Sequence, residues 1–271
     1  MKCARSLAGA LLMASLKKLQ QNWEELAQAD PLWAICSDPK KSGRNWDARE
    51  FFATGEKEIR VVLEYVQALG LQLDSSAPAL DFGCGVGRLT RALSGHFSEC
   101  WGVDISRTMI EKARELNQEV PNCRFRLNEA EHLDGFADGY FGFAYSSIVL
   151  QHIHPQLVRK YLSELVRVLK PGGVLVFQIT DRFKAGLARR LRLKLAVRRR
   201  VRALLGDRRP EFMHCMRETE VRRVLARQRV QIRDVVFTNS AEPDFNGNLG
   251  FLDREPGAGF VSKQYCVVKS V

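Results

Sequence analysis

The fold of this chain is decided by Ala79-Leu80-Asp81-Phe82-Gly83-Cys84-Gly85-Val86-Gly87-Arg88-Leu89-Thr90, a stretch that joins three patterns. A short apolar run comes first, three glycines alternate with other residues next, and Leu89 and Leu93 then begin an amphipathic helical pattern. Glycine permits positive φ and lets a ligand lie against the main chain without meeting a Cβ atom. The stretch therefore predicts a nucleotide-type binding turn between a strand and a helix.

The charge of this turn indicates which nucleotide it binds. Asp81 stands two residues before Gly83, where it would oppose the pyrophosphate of a dinucleotide. The glycine spacing also differs from the dinucleotide pattern, whose last glycine comes one residue later. S-adenosylmethionine (SAM) has no phosphate and carries an ammonium and a sulfonium, which a nearby acid stabilises. The turn therefore predicts SAM as the cofactor.

A second acid supports this prediction. Trp101-Gly102-Val103-Asp104 has the pattern of a short strand and ends in an acid 21 residues after Gly83. At that place a carboxylate can accept hydrogen bonds from both hydroxyls of a ribose. Asp81, Asp104 and the strand-helix alternation that follows favour a cofactor site over an ordinary tight turn.

At these residues the sequence resembles the class I SAM-dependent methyltransferases of the small-molecule type. Further stretches carry the resemblance: Arg126-Leu127-Asn128-Glu129-Ala130-Glu131, Phe143-Ala144-Tyr145-Ser146-Ser147, Val149-Leu150-Gln151-His152-Ile153 and Leu169-Lys170-Pro171-Gly172-Gly173. It covers residues 48–180 well and the remainder loosely. The resemblance implies a transferase that moves a methyl group from SAM, with a last strand that is antiparallel and lies between strands five and six.

From residue 79 onward, strand and helix patterns alternate regularly. Strands are predicted at 79–82, 101–103, 123–127, 141–146, 174–180 and 230–237 and near the C-terminus, and helices at 87–94, 107–117, 155–169 and 218–227. With the resemblance, the alternation predicts an α/β fold with a Rossmann-like, seven-stranded, doubly wound sheet. Ligands of such a sheet bind at the carboxyl ends of its strands.

Two helices are expected before this sheet. The first has Leu16, Leu19, Trp23 and Leu26 on one face and ends at Asp30-Pro31. Its apolar face is most simply covered by the catalytic domain. The second is predicted to begin with Thr54 as N-cap and to end at Gly70. We therefore divide the chain into an N-terminal helical cap, 1–70, and a SAM-binding domain, 71–271, with a basic helical insertion at about 181–217.

The predicted cofactor contacts lie at strand ends and in the glycine turn. They are Asp81, Gly83, Gly85, Gly87, Asp104, Glu129, Ala130 and Ser146. The resemblance implies that the Glu129 side chain and the Ala130 backbone amide recognise adenine. Many relatives have Asp at the position of Glu129, so Asn128 is an alternative for this role. Phe51 and Phe52 either close over the cofactor or only pack their helix onto the sheet.

Methyl transfer from a sulfonium needs alignment and exclusion of water, but no metal and no covalent residue. A hydroxyl acceptor must however lose a proton, and His152, six residues beyond Ser146, is the candidate base. His154 and His214 are weaker candidates. The alternative for His152 is a residue that packs near the cofactor and transfers no proton.

The absence of certain motifs narrows the possible classes of methyl acceptor. Nucleic-acid amino methylases have an Asn or Asp-Pro-Pro-aromatic turn where this chain has Tyr145-Ser146-Ser147-Ile148, and no Pro-Cys nucleophile is present. A small molecule, a sugar unit or a lipid-linked intermediate remains as the acceptor.

The position of the acceptor is predicted from strand direction. Segments 151–154, 212–216 and 239–260 should converge on it because they leave the carboxyl ends of neighbouring strands. The side chains expected around it are those of Met213, His214, Met216, Phe245 and Phe251.

The formal net charge of +11 is concentrated in one segment. Residues 181–209 contain twelve Lys or Arg against two Asp, a local balance of +10. Leucines and valines there approximate one helical face, which predicts a basic amphipathic helix. Such a helix at 182–209 could bind an anionic membrane surface, cover the sheet without binding anything, or bind RNA, in that order of preference. A SAM-binding adaptor that acts through this segment, or an RNA methyltransferase, is therefore the alternative function.

The sequence also bears on where the protein works. Residues 1–15 only faintly resemble a secretion signal, because their apolar run is short and passes into Lys17-Lys18. No stretch has the roughly eighteen apolar residues that a membrane span needs. Seven scattered cysteines form no close pair and are typical of reduced thiols. We expect a cytoplasmic protein that binds peripherally at the inner membrane face if the basic segment binds lipid.

Overall fold

A computed structural model describes residues 2–184, 213–242 and 245–271. Most of the predicted basic insertion lies outside the described residues. None of the helices in the described ranges is long and apolar enough to cross a membrane.

Within those ranges the helices and strands follow the predicted alternation. The helices are α1 Lys2–Ala29, α2 Pro31–Ile35, α3 Ala48–Ala68, α4 Arg88–Ser94, α5 Arg107–Leu116, α6 Pro155–Val168 and α7 Glu218–Leu225. The strands are β1 Ala79–Phe82, β2 Cys100–Asp104, β3 Cys123–Leu127, β4 Phe141–Ser146, β5 Leu169–Lys184, β6 Val230–Thr238, β7 Phe251–Leu252 and β8 Gly259–Lys269.

The strands form one sheet in the order β3-β2-β1-β4-β5-β8-β6-β7. Strands β1 to β5 pair in parallel, and β8 lies antiparallel between β5 and β6, which confirms the predicted doubly wound sheet. The predicted count of seven strands is wrong, because β7 pairs with the edge strand β6 and makes eight. A strand of two residues is too short to produce an alternating sequence pattern.

The start of α3 also differs from the prediction. Asp47 is the N-cap, and its side chain accepts a hydrogen bond from the Glu50 amide at 2.9 Å. Thr54 lies inside the helix instead, where its hydroxyl donates to the Phe51 carbonyl at 2.6 Å. Threonine can bond either to a free amide at a helix start or back to a carbonyl within the helix, and the sequence alone did not separate the two.

Helices cover both faces of the sheet. On one face, Leu12 and Leu16 of α1 belong to the same buried cluster as apolar residues of α6 and α7. On the other face, α3 and α4 pack on the sheet through residues such as Ile59 and Leu93. The apolar face of α1 is therefore covered by the sheet domain, as expected from its sequence.

The order of the strands locates the binding edge. The chain runs outward from β1 through β2 to β3 on one side and then returns to β4 on the other side of β1. Such a reversal opens a crevice at the carboxyl ends of β1 and β4. The glycine turn follows β1 directly and therefore lies at this crevice.

Candidate active site

A cavity of about 870 Å³ opens at the carboxyl ends of the parallel strands. Gly83 and Gly85 of the turn, Asp104 at the end of β2 and Ser147 after β4 form part of its wall. Further wall residues come from the N-terminal segment and from the segments that follow β4, β5 and β6. This cavity thus lies between the sheet edge and the segments that cover it.

The two glycines in the wall are required by geometry. Gly83 has φ of 81° and Gly85 has φ of 53°, which side chains rarely adopt. A Cβ atom on Gly83 would lie 2.2 Å from Val149 Cγ2, and one on Gly85 would lie 2.4 Å from Ile35 Cδ1. Both positions therefore leave main chain, rather than side chain, at the bottom of the cavity.

Asp104 lies beside the turn and is fixed by backbone amides. Its Oδ2 accepts from the Gly85 amide and its Oδ1 from the Ser106 amide, both at 2.9 Å. Burial raises the pKa of this carboxyl, while the amide bonds counteract that rise. Each carboxylate oxygen can accept more than one hydrogen bond, so Asp104 keeps capacity for ligand hydroxyls.

Asp81 occupies a different place from the one expected. It is 2% exposed, accepts from Thr90 Oγ1 at 2.7 Å, and does not belong to the cavity wall. Burial raises the pKa of Asp81 to about 7, although the bond from Thr90 works against this rise. Asp81 therefore connects β1 to α4 beneath the turn, and a direct contact with the cofactor stays a prediction.

The residues predicted to recognise adenine also lie outside the wall. Glu129 is exposed and accepts a hydrogen bond from Gln20 of α1. The Ala130 carbonyl accepts from the Tyr161 hydroxyl at 2.7 Å. Asn128, the alternative for this role, does line the cavity.

Two further residues predicted to contact the cofactor, Ser146 and Gly87, do not line the cavity. Ser146 is buried and donates to the Phe82 carbonyl at 3.0 Å, while its neighbour Ser147 lines the cavity. Gly87 caps α4 and a Cβ atom there would meet Phe125, away from the cavity. The strand ends thus predicted the edge of the sheet at which the cavity opens, and contacts of Ser146 and Gly87 with the cofactor stay predictions.

The N-terminal segment forms the opposite wall. Six apolar residues of α1 and α2 line the cavity: Leu19, Trp23, Leu26, Trp33, Ala34 and Ile35. Glu24 of α1 holds this wall on the domain by accepting from Ser106 Oγ at 2.7 Å and from Thr108. Burial acts against the Glu24 carboxylate, but these hydrogen bonds outweigh it and lower its pKa.

Sequence reasoning found Trp23 and Leu26 only as a helix face and missed Glu24, Trp33 and Ile35. The available signal was the apolar run after Asp30-Pro31, where Asp30 caps α2 by accepting from the Trp33 amide at 3.2 Å. A helix of five residues has no measurable periodicity, so the run could not be placed on a face.

The segments expected at the acceptor do converge on the cavity. Its wall there contains Gln151, His152, Met213, Ser240, Ala241, Glu242, Phe245 and Phe260. Three predicted wall residues lie elsewhere. Met216 is 1% exposed in the core, His214 contacts the His154 ring with centroids 5.6 Å apart, and Phe251 packs on Tyr65 at 4.8 Å. Burial, together with His154, lowers the pKa of His214.

His152, the candidate base, lies in a short 3₁₀ helix, Leu150–His152, and lines the cavity. Its ring meets the Trp23 ring edge-on, with centroids 5.4 Å apart. Its Nε2 lies 3.3 Å from Gln151 Nε2. The side chain therefore stands between the N-terminal wall and the segment that follows β4.

The charges on the wall have one sign. Among the described residues that line the cavity, Asp104 and Glu242 are carboxylates and none is a lysine or an arginine. The remaining polar groups there are hydroxyls, amides and the imidazole of His152. The electrostatic potential at the described wall therefore favours binding of a neutral or cationic ligand over binding of a polyanion.

A family model described as "Methyltransferase domain" matches residues 80–177, which run from β1 to β5. This segment of the chain is similar to the methyltransferase domains of class I SAM-dependent enzymes. S-adenosylmethionine is the cofactor that this match indicates. The cavity fits it, because Gly83 and Gly85 present bare main chain and Asp104 presents a carboxylate beside them.

Two curated relatives and one solved structure define the likeness. Trans-aconitate 2-methyltransferase of Deinococcus radiodurans is 36% identical over 107 residues, 38% of either chain. 2-Methyl-6-phytyl-1,4-hydroquinone methyltransferase of Synechocystis is 32% identical over 124 residues, 44% of this chain and 38% of the relative. The structure of magnesium protoporphyrin IX methyltransferase of Synechocystis, with bound SAH, gives a TM-score of 0.53 at 19% identity and covers 80% and 84% of the two chains.

The chain thus spans less than half the length of the curated relatives just named. The likeness to the solved structure supports the fold and no more, since the identity is 19%.

Proposed function

We propose that this protein transfers the methyl group of SAM to a hydroxyl oxygen of a neutral, largely apolar small molecule, free or lipid-linked. One observation carries the proposal: where the segments after β4, β5 and β6 line the cavity, apolar side chains are combined with uncharged hydrogen-bonding groups and a single carboxylate, Glu242. Met213, Phe245 and Phe260 supply the apolar surface, and Gln151 and Ser240 supply the polar groups. Such a wall suits an apolar body that carries one or two hydroxyls.

The two curated relatives are named for acceptors that differ in charge. Trans-aconitate is a polyanion, whereas a phytyl hydroquinone is a neutral ring with a long apolar chain. Asp104 and Glu242 would repel the first, and no basic side chain of the described wall would offset them. The volume of about 870 Å³ is near the upper end for small-molecule pockets, which leaves room for an acceptor beside a cofactor.

When bound, SAM supplies an electrophilic methyl group on its sulfonium, so the residues of the chain have three tasks. The glycine turn and Asp104 bind and orient the cofactor. Trp23 and Ile35 exclude water from the cavity. His152 accepts the proton of the acceptor hydroxyl as its oxygen bonds to the methyl carbon, and the electrons of the broken carbon–sulfur bond remain on sulfur.

The basic segment adds a proposal about delivery of the acceptor. Residues 182–209 would hold the protein at an anionic membrane surface, at about 1 kcal/mol per basic residue near the lipid. A lipid-linked acceptor could then enter the cavity directly from the membrane. This part of the proposal rests on sequence alone, since 185–212 lie outside the described residues.

A matched acceptor panel tests the proposed function. The purified full chain is incubated with SAM and either neutral hydroquinones of increasing chain length or small tricarboxylates. Formation of S-adenosylhomocysteine (SAH) and of O-methylated product is measured by mass spectrometry. We expect turnover with the hydroquinones only. Turnover of tricarboxylates alone, or methylation at nitrogen or carbon, would contradict the proposal.

A further inference from the structure

A chain of hydrogen bonds begins at a strained residue in the cavity wall. Ile148 has φ of 61°, a conformation that a β-branched residue rarely adopts. Its amide donates to Gln178 Oε1 on β5 at 3.0 Å. Because the surrounding structure must hold a strained residue in place, this bond ties the segment after β4 to the middle of the sheet.

The chain continues through two buried amides to His152. Gln178 Nε2 donates to Gln151 Oε1 at 3.0 Å, and Gln151 Nε2 lies 3.3 Å from His152 Nε2. Gln178 and Gln151 are 1% and 3% exposed. Water therefore has little access to either amide, and each must satisfy its polar atoms within the protein.

The direction of every bond in this chain follows from its first donor. A backbone amide can only donate, so the oxygen of Gln178 must face Ile148 and its nitrogen must face Gln151. Gln151 must then present its oxygen to Gln178 and its nitrogen to His152. An amide nitrogen only donates, so Nε2 of His152 must be the acceptor. An imidazole that accepts at Nε2 is neutral there and carries its proton on Nδ1.

We propose that Gln178 and Gln151 are positioning residues, which hold His152 in the Nδ1-protonated tautomer with a lone pair on Nε2. This inference rests on the proposed function, in which His152 is the base. The Nε2 lone pair that accepts from Gln151 is also the one to which an acceptor hydroxyl would donate when it enters the cavity. The hydroxyl proton then passes to Nε2, its oxygen forms the bond to methyl carbon, and the carbon–sulfur electron pair stays on sulfur.

Thr180 provides a matched control. Like Gln178 it bonds to Gln151, but its own orientation is not fixed by the Ile148 amide. Its hydroxyl donates to Gln151 Oε1 at 3.0 Å, and Thr180 is fully buried. A hydroxyl can donate or accept, so it would adapt to either orientation of Gln151. Gln178 has no such freedom, because Ile148 fixes its oxygen.

Histidine nitrogen NMR on the full chain tests the inference directly. Long-range ¹⁵N–¹H spectra distinguish the two tautomers, and loss of one signal in His152→Ala assigns the residue. We expect the Nδ1–H tautomer of His152 in the wild type at pH 7.5 and in Thr180→Val. Gln178→Met should produce a mixture of tautomers. An Nε2–H tautomer in the wild type, or an unchanged signal in Gln178→Met, would overturn the inference.

Kinetics supply the second measurement. Gln178→Met should lower kcat about tenfold and leave the KM for SAM unchanged, whereas Thr180→Val should change neither. Calorimetric binding of SAH reports whether each variant is folded. If Gln178→Met does not fold, Gln151→Met is measured in its place. Equal losses in Gln178→Met and Thr180→Val would indicate a structural role only. The tautomer measurement needs no methyl acceptor. A wrong proposal about the acceptor would therefore leave the tautomer result unchanged, whereas a wrong proposal about Gln178 would not.

Discussion

The Gly85 amide donates to Asp104 Oδ2 at 2.9 Å, so the turn after β1 and the acid at the end of β2 form one unit. The Ser106 amide binds the other carboxylate oxygen and connects the same unit to the start of α5. Three segments that a cofactor would contact are thereby held in fixed relation by one side chain.

Asp104→Asn should therefore weaken binding of SAM and SAH strongly. The variant keeps the size of the side chain, but its NH₂ group would face either the Gly85 amide or the Ser106 amide, and it loses the charge that strengthens bonds to ribose hydroxyls. We expect a loss of roughly 2 to 4 kcal/mol in binding free energy by isothermal titration calorimetry. The control is Asp253→Asn, an exposed acid outside the cavity. Unchanged affinity in Asp104→Asn would remove Asp104 from the cofactor site.

Glu24 should hold the N-terminal wall of the cavity in place. Glu24→Ala removes the acceptor for Ser106 and Thr108 at the start of α5, so α1 should detach more often and leave Trp23 less ordered. We expect faster amide exchange across 19–29 and weaker SAH binding, measured by hydrogen exchange and calorimetry. Glu25→Ala, at the exposed neighbouring position, should change neither. Equal exchange rates in the two variants would contradict the role of Glu24.

The buried pair of Arg88 and Glu58 should be costly to break. Arg88 Nη2 lies 2.6 Å from Glu58 Oε2, Tyr145 donates to the other oxygen at 2.9 Å, and Glu58 is fully buried. Glu58→Gln leaves the guanidinium charge uncompensated and should lower the free energy of unfolding by about 3 to 5 kcal/mol. Urea denaturation measures this, with Glu56→Gln on the exposed face of α3 as control. A decrease of less than about 1 kcal/mol in the free energy of unfolding would show that Glu58 is not needed to compensate the charge of Arg88.

Asp81 should make stability depend on pH. Its folded pKa is raised by burial from 3.8 to about 7, so its contribution is fully present below 3.8 and is lost as pH rises towards 7. Asp81→Asn can still accept from Thr90 but does not titrate. The wild type should therefore lose stability relative to the variant by about 1.4 kcal/mol per pH unit across that window. Urea denaturation at several pH values checks this, and a constant difference would place the pKa of Asp81 near its ordinary value.

The sequence predicted the central strands closely, and the physical reason is their burial. β1 and β4 begin and end where expected because both faces of each strand are covered, which produces continuous apolar runs. The glycine turn and Asp104 were found because their spacing is local. The start of α3 and the strand β7 were not, since Thr54 had two possible bonding modes and β7 has only two residues.

The buried hydrogen bonds behind the cavity wall were not predicted, because they depend on long-range pairing. Gln178 and Ser262 lie 84 residues apart in sequence, and the register of β5 with β8 places their side chains 2.5 Å apart. No local pattern carries that register. The position of Ile35 over Gly85 likewise depends on how the short helix α2 packs, which the apolar run after Pro31 did not reveal.

The basic segment should bind anionic vesicles in a salt-dependent manner. Replacing Arg198, Arg199, Arg200 and Arg202 by Gln removes four charges and, at about 1 kcal/mol each, should nearly abolish binding to vesicles that contain phosphatidylserine. Sedimentation at low and high salt measures it, with neutral vesicles as control and RNA as competitor. Binding to RNA but not to vesicles would favour the nucleic-acid alternative.

His152 should be tested by two substitutions, because a base and a packing residue predict different results. His152→Ala removes both the imidazole nitrogen and the contact with Trp23, whereas His152→Phe keeps an aromatic ring at that contact. If His152 takes the acceptor proton, both variants should lose about a hundredfold or more in turnover while SAM affinity is retained. If it only packs between Trp23 and the segment after β4, His152→Phe should restore most of the activity that His152→Ala loses. Single-turnover rates with a saturating hydroquinone separate the two outcomes, and substantial activity in His152→Phe would exclude proton transfer to this residue.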